Sequence, residues 1–214
     1  MKWIRYGVTL SKLTENHLEM VRYWRNHPEV SKYMEFRQPI TAEMQKNWFA
    51  AVNNSENFFF IIEHNKNAVG LISTANINYH SKTGSCGIFV WDAAWAGSPV
   101  PVFAALSMLD FVFLILDLEY TNIKVHKENK KAVAYNLSLG YELLPDTAGS
   151  VFRQYRLQRE KYFIKAAFLR KLGKKMFGNA SYLYVNPHED MPNNITKLPE
   201  QALTQLNITL ATHN

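Results

Sequence analysis

The first part of the chain shows the periodicity of two amphipathic helices. Thr14 can cap a helix that places Val21 on its apolar face, and Pro28 ends it. After a polar loop, Thr41 begins a second helix over residues 42–52, where apolar side chains again recur at helical spacing.

Three runs rich in β-branched and aromatic residues follow. They predict strands over residues 58–63, 68–79 and 85–91. The polar runs H-N-K-N (64–67) and S-K-T-G (81–84) predict the turns between them. Because both turns are short, we expect the three strands to form an antiparallel meander.

The pattern then changes to one long apolar segment and a series of shorter elements. A buried helix is predicted over residues 99–116, a strand over 122–126, a short helix over 130–139, and closing strands over 141–144 and 151–157. Gly140 can adopt the left-handed conformation that ends a helix. A meander followed by strand, helix and strand predicts an α/β fold (an α+β mixed sheet) with helices covering its faces.

Composition narrows the function classes. The chain has 214 residues, is 47% hydrophobic and carries a formal charge of +6, which favours anionic ligands in general. A single cysteine, Cys86, excludes an internal disulfide and a multi-cysteine metal site, and fits a reducing, cytoplasmic compartment. We expect no metal cofactor and no secretory signal.

The C-terminal segment is strongly basic. Lysines and Arg170 alternate with apolar residues over 161–176, which predicts an amphipathic helix. We expect its apolar stripe to pack on the domain or on a second subunit of a homo-oligomer. Contact with an anionic membrane surface or a nucleic acid is the alternative. Beyond residue 186 the tail is rich in Pro, Asn and Thr, and residues 203–210 offer a helix through which it can dock.

One motif joins the predicted strand 122–126 to the helix after it. N-K-K-A at residues 129–132 is followed by Gly140 and Tyr141. It resembles the N-x-x-A…G-F signature of the GNAT acetyltransferase superfamily, with Tyr141 for the usual Phe. The likeness covers roughly residues 5–158. It implies an acyl-CoA N-acyltransferase domain over 1–158, followed by a basic helix and polar tail over 159–214.

A second motif, W-R-N-H-P-E-V at residues 24–30, precedes I-T at 40–41. It is similar to the opening of GNAT members that acetylate nucleotide-linked 4-amino sugars in pseudaminic acid synthesis. Ribosomal-protein N-terminal acetyltransferases open in a similar way. The resemblance implies that Arg25 and Asn26 contact the acceptor. A structural alternative is that both residues cap the end of the helix that Pro28 breaks.

The resemblance also implies a site for acetyl-CoA as acyl donor. Its residues would be Val90, Trp91, Gly97, Ser98, Asn129 and Asn136. The family's Q/R-x-x-G-x-G/A loop offers backbone N–H groups to the phosphates at a helix N-terminus. Here Ala94 replaces the Gln or Arg and Pro99 the second Gly, and Pro101 follows. Proline has no N–H, so we expect an altered phosphate site.

The family's catalytic groups are also changed. Its proton-donating Tyr corresponds to Asn136, and Tyr135 lies one residue, or about 100° of helix rotation, away. No carboxylate stands near Ser85 and Cys86, where many members carry their base. His126 and His80, each at the end of a predicted strand, are the candidate replacements. A lone mid-strand Cys86 is more typical of a buried apolar residue than of a nucleophile.

Two functions from different classes follow from the resemblance and its departures. The first is an N-acetyltransferase that moves an acetyl group from acetyl-CoA to a small-molecule amine, with a nucleotide-linked amino sugar as the leading acceptor. The second is a GNAT-like domain with impaired catalysis that serves as a binding or assembly module.

Overall fold

The computed structural model describes residues 1–185 and 208–212 as a central sheet with helices on both faces. The strands are β1 (Lys2–Arg5), β2 (Val8–Lys12), β3 (Phe58–His64), β4 (Asn67–Asn78), β5 (Thr83–Val90), β6 (Tyr120–His126), β7 (Glu142–Leu143), β8 (Phe152–Gln158), β9 (Ser181–Val185) and β10 (Ile208–Thr212). The helices are α1 (Leu18–Asn26), α2 (Pro28–Ser31), α3 (Ala42–Val52), α4 (Ala93–Ala96), α5 (Val100–Asp110), α6 (Lys130–Ser138), α7 (Arg159–Lys165) and α8 (Ala167–Phe177). The predicted mixed α/β class is confirmed.

The strand order is β10-β9-β1-β2-β3-β4-β5-β6-β8-β7. Neighbouring strands run antiparallel except for β9 with β10 and β5 with β6, which run parallel. The predicted meander is therefore present as β3, β4 and β5. After the long apolar helix, the chain re-enters the sheet as β6, next to β5.

The sheet separates two hydrophobic clusters. One face packs against α5, which is buried on nearly all sides, and against Tyr162 of α7. The other face packs against α1 and α3 through a smaller cluster that includes Val21, Phe49 and Trp91. None of the helices in residues 1–185 is long and apolar enough to cross a membrane.

The structure extends the predicted element order at the N-terminus. Residues 1–13 had no predicted element, but β1 and β2 form a hairpin closed by Tyr6 and Gly7, with φ of 52° and 74°. Positive φ at both central residues matches the right-handed twist of the two strands. Arg5 is buried in β1, which interrupts the alternation of apolar and polar positions by which such a strand is found.

Other boundaries differ modestly. The predicted helix over 99–116 is α-helical to Asp110 and continues as a π-helical turn over Phe111–Ile115. Gly140 follows α6 with φ of 99°, as predicted. The basic C-terminal helix is confirmed as two helices, α7 and α8, and β9 follows them. The prediction of a helix over 203–210 is wrong for its last residues, which belong to strand β10, and residues 203–207 lie outside the described part of the chain.

Candidate functional site

The sheet opens between β5 and β6. These two parallel strands pair only where residues 83–85 face residues 120–122. Further along, residues 86–90 of β5 keep their pairing with β4, while β6 stays with β8. The two strands therefore separate and leave facing backbone edges whose amide groups have no ladder partner.

A cavity of about 340 Å³ occupies this opening. Its walls on the α5 side come from that helix and α6, and its walls on the other side from α2 and the loop after it. The lining is mainly apolar, with Met108 and Leu109 at the α5 wall and Val30 and Met34 on the opposite side. The cavity thus connects the two faces of the sheet, so two ligands can approach each other through it from opposite sides.

His126 lines this cavity at the end of β6. The backbone N–H of Glu128 donates a hydrogen bond to its Nδ1 over 3.2 Å. The ring also lies edge-to-face on Phe152, with centroids 5.0 Å apart, and contacts Tyr33 at 5.8 Å. Since Nδ1 accepts a hydrogen bond, the proton of the neutral ring is on Nε2, and His126 is oriented as a hydrogen-bond donor.

Helix α6 brings three further predicted residues to the cavity: Asn129, Tyr135 and Asn136. Asn129 caps the helix by accepting the N–H of Ala132 at 3.2 Å. Asn136 donates to the carbonyl of Ala132 at 2.8 Å, which ties its amide to the preceding helical turn. Both side chains therefore have a structural hydrogen bond as well as a place in the cavity wall.

Tyr135 is half-buried, and its hydroxyl lies 3.5 Å from the carbonyl of Val102 on α5. Burial raises the pKa of Tyr135 far above its usual range, so the phenol stays protonated at neutral pH. A protonated phenol in an apolar wall can donate a hydrogen bond or a proton but cannot act as a base.

The loop that corresponds to the phosphate site lies between β5 and α5. Gly97 is exposed and no atom crowds its Cα, so the backbone there is accessible. The N–H of Ser98 donates to the carbonyl of Trp95 at 3.0 Å. The N–H of Val100 donates to Ser98 Oγ at 3.2 Å, and the Ser98 hydroxyl donates to the same Trp95 carbonyl.

Asp92 adds a carboxylate to this loop by accepting the N–H of Ala94 at 2.8 Å. Pro99 is the N-cap residue of α5 and Pro101 lines the cavity. Several N–H groups that would serve a phosphate are thus absent or bonded within the loop, and a negative charge stands beside them. The loop departs from a pyrophosphate cradle in its hydrogen bonding as well as in its sequence.

Four predicted residues bear on the cavity only indirectly or lie away from it. Trp91 directly follows β5, and its side chain lies in the cluster on the α1 and α3 side of the sheet, stacked on Trp24 at 6.1 Å. Asn26 exchanges hydrogen bonds of 2.8 and 2.9 Å with the backbone of Ile40, which fixes the loop before α3. Arg25 lies 5.8 Å over the Phe89 ring, and burial lowers its pKa. His80 is exposed in the turn after β4.

Val90, the predicted site residue at the end of β5, lines the cavity together with Cys86. The Thr121 hydroxyl donates to Cys86 Sγ at 3.0 Å, and burial raises the pKa of the Cys86 thiol. A thiol that is both buried and held neutral is a poor nucleophile. No group of three or more His, Cys, Asp or Glu side chains in the described residues is placed to hold a metal ion.

Residues at the mouth of the cavity were not predicted as site residues. Glu29 of α2 lines it and forms an ion pair with Lys32 at 2.5 Å. Lys124 of β6 lines it and pairs with Glu35 at 2.6 Å. Glu29 is part of the W-R-N-H-P-E-V motif, which is the one sequence signal that points to it. Lys124 and Glu35 are 89 residues apart, and only the fold brings them together.

Comparison with known proteins identifies a family and solved structures that resemble this fold. A family model described as an acetyltransferase (GNAT) domain matches residues 8–142. Spermidine N(1)-acetyltransferase of Escherichia coli (strain K12) is 24% identical over 140 residues, which are 64% of this chain and 74% of that protein.

Two solved structures resemble the fold at low sequence identity. Spermidine N-acetyltransferase from Vibrio cholerae, in complex with CoA and spermine, gives a TM-score of 0.66 at 20% identity and covers 73% of this chain and 98% of its own. Apo FdhC, described as a nucleotide-linked sugar GNAT, gives 0.66 at 19% identity over 79% of this chain and 97% of its own. Because the family match spans more than half of its 214 residues, the chain belongs to the GNAT acetyltransferase family.

Proposed function

We propose that this protein transfers an acetyl group from acetyl-CoA to a primary amine. The observation that carries the proposal is the opening between β5 and β6, which joins the two faces of the sheet through one cavity. A thioester entering from one face and an amine entering from the other would meet inside it. Such positioning is a large part of catalysis for a two-substrate reaction.

The donor enters on the side of α5 and α6. The unpaired edge of β5 next to Val90 offers backbone hydrogen bonds to the amides of the pantetheine arm, and the apolar α5 wall covers its carbon chain. The pyrophosphate would lie at the N-terminus of α5, near Gly97 and Ser98. The internal hydrogen bonds of that loop imply that the phosphates contribute less to binding here than the pantetheine arm does.

Acyl transfer requires that the amine attack the thioester carbonyl, that the resulting oxyanion be stabilised, and that the departing thiolate receive a proton. We assign the oxyanion contact to the Nε2–H of His126 and the proton donation to the Tyr135 hydroxyl. Both groups line the cavity and both are donors in this environment. His80 is exposed and has no part in the proposal.

The acceptor is an amine on a nucleotide-linked sugar in this proposal. The Escherichia coli relative acetylates spermidine, a polycation, whereas Apo FdhC, the nucleotide-linked sugar GNAT, represents the alternative class of acceptor. The chain itself carries +6, which opposes the approach of a polycation and favours that of a nucleotide. The carboxylates of Glu29 and Glu35 at the mouth are already paired with lysines, so they are poor partners for a second ammonium group.

The test is product formation with acetyl-CoA and two acceptors, a uridine-diphosphate-linked 4-amino sugar and spermidine, followed by mass spectrometry. We expect acetylation of the sugar nucleotide and a much lower rate with spermidine. Transfer to spermidine alone would overturn the acceptor assignment, and transfer to neither would count against the enzyme.

The same assay tests the cavity itself. Ala132→Trp places an indole in the cavity, whereas Ala134→Trp places it on the exposed side of the same helix. We expect the first to abolish acetyl-CoA binding by calorimetry and the second to retain it. Equal affinities in both variants would show that the donor binds elsewhere.

A binding or assembly module is the second candidate, favoured by the internally bonded phosphate loop and the Asp92 carboxylate. Failure of the wild-type protein to bind acetyl-CoA at millimolar concentration would favour this candidate. Binding in the micromolar range, about −8 kcal/mol, together with product formation would count against it.

A further inference from the structure

The outer surface of α7 and α8 combines large apolar side chains with lysines. Ile164 and Phe168 are each 73% exposed, which is the greatest exposure of any large apolar side chain in the described residues. At about 100° of rotation per residue, Phe168, Lys171 and Lys175 share one side of α8. We call Ile164, Phe168, Lys171 and Lys175 the outer face.

The opposite side of α8 is fixed on the core. Arg170 donates to the buried Asp110 at 3.0 Å, and Gly173 packs so closely on Tyr6 that a Cβ there would lie 2.6 Å from its ring. Phe177 packs edge-to-face on Phe103 with centroids 5.1 Å apart. Because these contacts hold the helix in one rotation, the outer face is presented to solvent by a rigid element.

The charged side chains of α8 and of most of α7 are all positive. Residues 161–185 contain six basic residues and no acidic residue. Lys161 pairs with Glu142 and Arg170 with Asp110. In the part of the chain that the structure describes, no carboxylate forms an ion pair with Lys165, Lys171 or Lys175, so their ammonium groups are available to a partner.

We propose that the outer face docks this protein on an anionic lipid surface. Ile164 and Phe168 would enter the boundary between headgroups and acyl chains, and the lysines would contact the phosphates around them. Exposed apolar side chains surrounded by lysines on a fixed helix are the pattern of an interfacial, surface-bound helix. This role is independent of the acyltransfer proposed above.

Two other partners fit the face less well. A second copy bound symmetrically through the same surface would bring Lys171 and Lys175 close to the same residues of its partner, which is repulsive. A nucleic acid would use the lysines and could stack a base on Phe168, but the aliphatic side chain of Ile164 would stay exposed to solvent. Lipid uses both the apolar and the charged groups.

The experiment is co-sedimentation of the full chain with vesicles of phosphatidylglycerol and with vesicles of phosphatidylcholine. We expect binding to phosphatidylglycerol only, weakening as salt is raised. The double variant Ile164→Ser/Phe168→Ser should bind about tenfold or more weakly, because it loses two apolar contacts with the lipid and their free energies add. Val151→Ser, which changes another half-exposed apolar residue on a different surface, is the matched control and should bind like the wild type.

Three results would overturn the proposal. The first is no binding to phosphatidylglycerol vesicles at low salt. The second is equal binding of the wild type and the double variant to the vesicles, which would indicate that charge alone attracts the protein. If both proteins then also bind single-stranded RNA, nucleic acid would be the partner. The third is conversion of a wild-type oligomer to monomers by the double variant, measured by light scattering, which would make the face a subunit contact. Unchanged thermal unfolding of the variant establishes that it is folded.

Discussion

One backbone hydrogen bond determines which nitrogen of His126 carries the proton of the neutral ring. From the sequence it is a titratable residue at the end of a strand and serves equally as a candidate base or acid. In the structure, the N–H of Glu128 occupies Nδ1, which leaves Nε2 as the protonated nitrogen. A ring held in this tautomer donates a hydrogen bond, which is why we propose that it contacts the oxyanion and not the amine.

The prediction for this residue separates the two roles. His126→Ala should lower kcat by about 10²-fold or more with little change in KM, because the contact is made as the oxyanion develops. His126→Gln should recover part of the loss, since its amide can donate from a similar position but is not a base. Steady-state kinetics with acetyl-CoA and the sugar nucleotide measure both. A Gln variant as slow as the Ala variant would argue that His126 works as a base.

At this scale the sequence predicts positions better than it predicts roles. Asn129, Tyr135 and Asn136, which the motif at residues 129–132 singles out, line one cavity, because they lie at one helix and helix geometry is local. Arg25 and Asn26 are local too, but they have no place in the cavity wall. Asn26 is bonded to Ile40, 14 residues away, and no local pattern encodes that contact.

Among the elements, the N-terminus of α5 departs from the family's phosphate-binding pattern. A helix start with free N–H groups attracts phosphate, but Pro99 and Pro101 supply none and Ser98 uses its hydroxyl to cap the helix. The loop is thus stable without a ligand. In the proposed enzyme, the affinity for coenzyme A would therefore depend mainly on the pantetheine arm between the strands, and a substitution in the loop could increase it.

Pro99→Gly should return one donor to this loop. A hydrogen bond to a charged group contributes about 1.5–3 kcal/mol, and the flexibility that glycine adds to the free loop must be lost on binding, which costs about 0.4–1 kcal/mol. We therefore expect roughly tenfold tighter binding of acetyl-CoA. Acetyl-pantetheine lacks the pyrophosphate, so its KM should not change. Pro145→Gly, at the start of a single 3-10 turn over Pro145–Thr147, should alter the binding of neither donor. An equal gain for both donors would mean that the variant acts on the cavity and not on the phosphates.

Elements with a strong local pattern could be predicted from the sequence, whereas elements held by contacts distant in sequence could not. The meander and the buried helix have strong periodicity and appear within a few residues of their predicted bounds. The hairpin of β1 and β2 is held by contacts distant in sequence, such as the bond from the Trp3 indole to the carbonyl of Ser107. Strand β9 pairs with β1, near the other end of the chain, so its short pattern is interpretable only when that partner is known.

For the whole molecule, one buried carboxylate joins the N-terminal hairpin to the helices α7 and α8. Asp110 of α5 is fully buried and accepts hydrogen bonds from Arg5 at 2.6 Å, Tyr6 at 2.7 Å, Tyr162 at 2.8 Å and Arg170 at 3.0 Å. Burial, followed by the Asp110 charge, raises the pKa of Tyr6 to about 12, so this phenol remains a donor. The network fastens β1, α7 and α8 to the central helix.

Removing this charge should destabilise the fold more than removing any surface carboxylate. Asp110→Asn leaves the buried guanidinium of Arg5 and the partly buried one of Arg170 without a counter-charge, and breaking a buried ion pair in this way costs about 3–5 kcal/mol. Asp117→Asn is the matched control, because Asp117 also pairs with two cations, Lys82 and Arg159, but lies at the surface. Its backbone has φ of 53°, which Asn tolerates well, so only a small loss is expected there.

Urea unfolding of the full chain, followed by circular dichroism, measures both changes. If Asp110 joins the C-terminal helices to the core, Asp110→Asn should also expose α7 and α8 to proteolysis before the rest of the chain unfolds, because Arg170 then loses its carboxylate. Similar midpoints for the two variants would mean that apolar packing of Tyr162 and Gly173 is sufficient to hold these helices. In that case the outer face would still be presented in a fixed orientation, and the charge network would serve the N-terminal hairpin alone.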